Sequence, residues 1–142
     1  MAAFDRALDG FALPADRRSP ESPVYWFHEG LVASHQSDCL LRLGKPAEAA
    51  ASAEKALQLF DTSFVSALAF CTLRLGTARL LCGEVEEAAR VIGEGALLAA
   101  RIRSARLTRE VPTARSRMEP WQDTQAVKEL NERLAGMGIW TI

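Results

Sequence analysis

The chain has 142 residues, of which 49% are hydrophobic and 25% are charged, and its formal net charge is −1. These values are typical of one globular domain and give no general attraction to nucleic acid or to an acidic membrane surface. Three cysteines without a Cys-x-x-Cys pair do not form a disulfide framework. No apolar run approaches the roughly 20 residues that span a bilayer, and no signal peptide is recognisable. We therefore expect a cytoplasmic protein without membrane contact.

The N-terminal segment has an amphipathic pattern. Apolar residues recur at helical spacing from Phe4 to Phe11, which predicts a short helix within residues 1–13. A stretch rich in charge, serine and proline follows at 15–23 and predicts a solvated loop.

Alanine and leucine dominate the centre of the chain, a composition that favours helix over sheet. Gly44 and Gly83 interrupt two helical patterns, and glycine readily takes the left-handed conformation with which many helices end. Pro46 suits the first position of the next helix. The pattern predicts two helical hairpins, made of helices at residues 24–43, 47–60, 64–82 and 84–102.

The C-terminal third predicts further helix. Residues 104–118 have a helical pattern that Pro112 should kink or break, because proline removes one backbone hydrogen bond. Asp123 or Thr124 can cap a final helix. The apolar face of that helix consists of Val127, Leu130 and Leu134.

The two corner glycines are 39 residues apart, and the small residues around them recur at matching places. The matching positions are Leu75-Gly76, Ala49, Ala56 and Ala88, with Phe4, Ala7 and Leu8 before them. This pattern resembles the tetratricopeptide repeat, a helical hairpin with a 34-residue period. The resemblance implies an all-α domain of antiparallel helical hairpins stacked in a right-handed superhelix. Within one domain (1–142) it implies a partial repeat at 1–13, repeats at 24–60 and 64–103, and a helical cap at 104–137.

Three further runs are similar to the repeat region of actinobacterial helix-turn-helix (XRE-type) transcriptional regulators. They are the run from Cys39 to Ala49, the run Arg103-Ser104-Ala105-Arg106, and the pattern from Trp121 to Leu134. In those proteins a DNA-binding domain precedes a tetratricopeptide-like sensing or dimerising region. No such domain precedes the repeats here, so we expect either the C-terminal portion of a regulator or a stand-alone relative.

No catalytic motif is present, and we expect neither an enzyme nor a bound metal or cofactor. His28, His35 and Cys39 share one side of a helix, but zinc needs four ligands and no local motif supplies the rest. The three cysteines have apolar neighbours in sequence and are expected to be buried and inert. A metal- or thiol-dependent sensor is the remaining alternative of a different class.

A basic stretch runs from Arg101 to Arg117, and Glu110 is the only acidic residue within it. It could touch phosphate, but without a groove-reading motif we expect a solvated or ion-paired face and no direct contact with nucleic acid.

In the resembling repeats, the first helix of each hairpin lines a concave binding surface. Because Ser34 and Asp38 occupy two positions that are basic or amide-bearing in relatives that clamp a terminal carboxylate, we do not expect a receptor for such a terminus. The groove should be apolar and should bind a peptide or protein, a second copy of the chain, or a small effector. The residues expected to line it are Leu31, Ser34, Asp38, Leu41, Arg42, Phe70, Leu73, Arg74, Thr77 and Leu80.

The leading hypothesis is thus a non-enzymatic module for interaction, effector sensing or dimerisation in a transcriptional regulator. The alternative is a stand-alone adaptor that binds a peptide partner. A charged residue at Leu73 or Thr77 should abolish the association with little loss of helix.

Overall fold

The computed structural model describes residues 23–139 and the side chains from residue 27 onward. The expected partial repeat at 1–13 and the last three residues lie outside this range. Throughout the described range the chain is helical and contains no strand, so the all-α prediction is confirmed. The helices are α1 (Pro23–Arg42), α2 (Pro46–Leu59), α3 (Val65–Leu81), α4 (Val85–Arg101), α5 (Ala105–Ser116), a 3₁₀ turn (Glu119–Trp121) and α6 (Gln125–Gly136).

The corners after α1 and α3 share one hydrogen-bonding pattern. Gly44 has a φ of +72°, and the amide of Lys45 donates to the carbonyl of Leu40 at 2.9 Å. Gly83 has a φ of +85°, and the amide of Glu84 donates to the carbonyl of Arg79 at 3.0 Å. Both are Schellman ends, in which a left-handed residue lets the chain turn back on its helix. Both glycines therefore end helices as predicted.

The corner after α4 has the same pattern without a glycine. Arg103 takes a φ of +52°, and the amide of Ser104 donates to the carbonyl of Ala99 at 3.4 Å. The Ser104 side chain then accepts a hydrogen bond from the amide of Leu107 and caps α5. Pro112 lies inside α5 without ending it, so of the predicted kink or break, the break does not occur.

Small side chains allow α3 and α4 to cross closely. A Cβ placed on Gly76 would lie 2.5 Å from Cγ1 of Ile92, and one placed on Gly95 would lie 2.8 Å from Cδ2 of Leu73. Gly76 is the glycine of the Leu-Gly pair singled out in the sequence, and only a residue without a side chain fits there.

The buried face of α2 consists almost entirely of alanine. Its members, all at most 2% exposed, are Ala49, Ala50, Ala53 and Ala56. This smooth face contacts both α1 and α3. The buried hydroxyl of Ser37 on α1 donates to the carbonyl of Ala49 at 2.8 Å and so fixes the α1–α2 pair.

We expect Ser37→Ala to lower the free energy of unfolding by about 1 kcal/mol, the usual net value of one buried hydrogen bond. Ser66→Ala is the matched control, because Ser66 is exposed on α3. Urea unfolding followed by circular dichroism would measure both variants. Equal midpoints would show that the Ser37 hydroxyl does not stabilise the pair.

The largest core cluster joins the C-terminal helices to α3 and α4. Its bulkiest fully buried members are Leu80, Ile92, Val111, Met118, Val127, Leu130 and Leu134. The hydroxyl of Thr124 accepts a hydrogen bond from the amide of Val127, so Thr124 caps α6. Of the two residues predicted as possible caps, Thr124 is therefore the one used. Helix α6 packs on α4 through the residues of this cluster.

Candidate functional site

A cavity of about 270 Å³ opens between α1, α3 and α5. We call it the groove. Seven of the ten residues predicted from the sequence line it, contributed by the first helix of each hairpin. Its lining residues are Asp38, Leu41, Arg42, Phe70, Leu73, Arg74, Thr77, Glu110, Thr113, Ala114 and Arg117.

The other three predicted residues lie outside the groove. Ser34 is buried beneath it, and its carbonyl oxygen and Oγ accept hydrogen bonds from Nη1 of Arg74 at 2.6 and 2.7 Å. Leu31 is half-buried and packs in the cluster around Phe60. Leu80 is 2% exposed and belongs to the main core. The structure therefore corrects the expectation that Leu80 faces a partner.

The floor of the groove is continuous with the core. Leu73 and Thr77 are each 5% exposed, and the Thr77 hydroxyl donates to the carbonyl of Leu73 at 3.2 Å. Because a charge at either position would be buried, such a variant would destabilise the α3–α4 contact as well as alter the groove. Neither residue is therefore suited to a test of binding, contrary to the expectation from sequence.

The groove carries more charge than the sequence analysis anticipated. Asp38 and Arg42 form an ion pair on its rim at 3.2 Å. Arg74 is half-buried beside them, and α5 with its C-terminal cap adds Glu110 and Arg117. The expected apolar surface is thus a mixed one, in which apolar side chains lie among charged groups.

Sequence reasoning missed the contribution of α5 because residues 104–137 were assigned to a cap. Yet the four α5-side lining residues, at positions 110, 113, 114 and 117, follow the i, i+3, i+4, i+7 spacing of one helix face. The stripe has mixed polarity, with Ala114 as its one apolar member. A search for apolar stripes therefore does not find it.

The thiols are distributed differently from the prediction. Only Cys71 is buried, whereas Cys39 and Cys82 are exposed. Cys39 lies on the outer side of α1, and Cys82 is the C-cap residue of α3. Burial raises the pKa of the Cys71 thiol, which donates to Oγ of Ser34 at 3.4 Å. Cys71 is therefore protonated at neutral pH and serves as a packing residue.

Within residues 23–139, no three His, Cys, Asp or Glu side chains come together in a way that could hold a metal ion. Among these same residues, no helix is both long and apolar enough to cross a membrane.

A second cavity, of about 320 Å³, lies between α4 and α6. Among its four charged lining residues, only Arg90 is in an ion pair within the described part of the chain, and its partners Glu87 and Glu94 do not line the cavity. The hydrogen bond from Arg90 lowers the pKa of the Glu87 carboxyl, while the pKa of Arg90 is raised.

Comparison with known proteins gave no match to this chain, whether among family models, curated proteins or solved structures.

Proposed function

We propose that this protein is a non-enzymatic, tetratricopeptide-like binding module whose groove takes a peptide segment of a partner protein. The observation that carries the proposal is the meeting of seven groove positions, chosen from sequence alone, around one cavity. The paired helices, the left-handed corner glycines and the close crossing at Gly76 support the tetratricopeptide-like hairpins. Their stacking in a right-handed superhelix is part of the same proposal and rests on the resemblance. Grooves between helices are a common place for peptides to bind.

The place of this module in a larger system rests on the resemblance to the actinobacterial regulators. On that basis, the groove belongs to the sensing region of a cytoplasmic transcriptional regulator. Binding of the peptide would shift an attached DNA-binding domain toward one orientation. The shift would be as large as the difference in the peptide's affinity for the two orientations. A stand-alone adaptor with the same groove is the alternative, and it binds the peptide without such coupling.

We expect Thr113→Trp to weaken peptide binding at least roughly tenfold, a loss of about 1.4 kcal/mol. Thr113 is exposed and lines the groove, so an indole there fills the space without disturbing the core. A random peptide library displayed on phage would be selected on the wild-type protein, and the enriched sequences would be synthesised. Their dissociation constants would then be measured by fluorescence anisotropy.

Ser116→Trp is the matched control, because Ser116 is exposed on the same helix and does not line the groove. Selected peptides that bind the Thr113→Trp variant as tightly as the control would place binding outside the groove. Failure to enrich any peptide would contradict the proposed function. Light scattering on the free protein would detect a second copy of the chain as the occupant.

A further inference from the structure

The ring of Phe70 lines the groove and contacts two arginines, Arg74, which also lines the groove, and Arg106, which does not. The guanidinium carbon of Arg74 is 5.0 Å from the ring centroid, and that of Arg106 is 5.2 Å from the same point. The two cations are therefore within about 10 Å of each other. We call this group the Arg74–Phe70–Arg106 stack. Such contacts hold a guanidinium against the face of an aromatic ring and limit its motion.

Arg74 is fixed from a second direction. Its Nη1 donates both hydrogen bonds to Ser34, one to the carbonyl and one to the hydroxyl. Within the described residues, its Nε and Nη2 have no hydrogen-bond partner in the protein. A planar guanidinium that is anchored at one nitrogen and stacked on a ring keeps donors free for a carboxylate.

The two arginines of the stack also differ from other arginines of the protein in their ion pairing. Arg79 pairs with Glu54 and Glu84, and Arg90 pairs with two glutamates. In contrast, neither arginine of the stack forms an ion pair with any residue between 23 and 139.

The other charges of the groove do not compensate the stack. Asp38 is engaged by Arg42, and the other carboxylate of the groove, Glu110, shares it with both Arg74 and Arg117. The wall around Phe70 therefore has an excess of positive charge.

We propose that the Arg74–Phe70–Arg106 stack recognises acidic side chains of the bound peptide, so that the groove selects segments carrying two nearby carboxylates. This inference rests on the proposed function and names the chemistry of its ligand. Alternate side chains of an extended peptide lie on one side, about 7 Å apart, a spacing compatible with two guanidiniums that are at most about 10 Å apart. Apolar lining residues such as Leu41 and Ala114 are available to the rest of the peptide.

The test uses a fluorescent, end-blocked peptide that alternates glutamate with threonine, and an otherwise identical peptide with glutamine in place of glutamate. Blocking both ends removes terminal charges, so that only side-chain carboxylates differ. We expect the glutamate peptide to bind at least roughly tenfold more tightly, and we expect this preference to shrink as salt is added. Equal binding of the two peptides would overturn the inference while leaving a peptide-binding groove in place.

Arg106→Gln and Arg109→Gln make a matched pair, because both residues are exposed on α5 and both substitutions remove one positive charge. Neither residue lines the groove itself, and of the two only Arg106 contacts Phe70, which does. We expect Arg106→Gln to weaken binding of the glutamate peptide about fivefold, and Arg109→Gln to leave it unchanged. Equal losses would mean that general charge attracts the peptide, and the stack would not be the recognition site.

Competition with glutarate distinguishes carboxylates carried by a peptide from those of a small free acid. We expect the free dicarboxylate to displace the glutamate peptide only at far higher concentrations than unlabelled peptide requires. Displacement at equal concentration would assign the stack to a small free acid and overturn its assignment to a peptide. If neither peptide binds while library-selected peptides do, the acidic preference is wrong and the proposed function stands.

Discussion

Gly76→Val is expected to lower the free energy of unfolding by about 2–3 kcal/mol, the usual cost of overpacking a well-packed core. A Cβ at this position would lie 2.5 Å from Cγ1 of Ile92 and 3.3 Å from the backbone nitrogen of Ile92. The backbone of α4 limits how far Ile92 can retreat, so the two helices must move apart. Thermal unfolding should show a midpoint lower by roughly 10 °C.

Gly136→Ala is the control for this substitution. Gly136 is exposed at the end of α6, and a Cβ placed there meets no atom within 4 Å. We expect an unchanged or slightly raised midpoint, because alanine favours helix over glycine. If Gly76→Val were as stable as this control, the close crossing of α3 and α4 would not contribute to the fold.

Leu134→Ala should destabilise the protein by about 2–5 kcal/mol, through lost burial and the cavity left behind. Leu134 is 0% exposed and packs in the main core cluster. The size of the loss measures how far α6 belongs to the cooperative unit. Urea unfolding monitored by circular dichroism gives the difference directly.

Leu97→Ala makes the same chemical change on α4, where the side chain is 36% exposed. We expect it to cost less than about 1 kcal/mol, because part of the side chain remains in water in the folded state. A Leu134→Ala variant no less stable than Leu97→Ala would mean that α6 is detached from the core in solution.

The helices and their corners could be predicted because their causes are local. Gly44 and Gly83 follow helical patterns, and a left-handed helix end favours glycine whatever the surroundings. Arg103 shows the limit of this reasoning. It takes the same left-handed conformation without being glycine, so composition gives no sign of that corner.

The burial of single residues was harder to predict than the helices, because it depends on which helix packs against which. Cys39 and Cys71 both have apolar neighbours in sequence, yet the first is exposed on the outer side of α1 and the second is buried between α1 and α3. Leu80 and Thr77 are less than one helical turn apart, but only Thr77 lines the groove. The direction of one side chain thus decides between core and site.

The α5 side of the groove could not be predicted from the sequence, because it depends on tertiary packing. Glu110 and Arg117 reach the groove because α5 packs against α3 as well as α4. Repeat patterns describe contacts within and between hairpins, and they say nothing of a helix that follows the last one. Phe70 was predicted as a groove residue, but its contact with Arg106 depends on that same packing.

The packing of α6 on α4 has a consequence for the order in which the chain assembles. Helices α1 to α4 each contact their immediate neighbour in sequence, so these contacts close short loops at a small entropic cost. Among the described helices, α6 instead makes its main contact with α4, across the whole of α5. As the chain leaves the ribosome, α1 to α4 can therefore dock one after another. The apolar face of α6 packs on α4, so we expect α6 to dock last among the described helices.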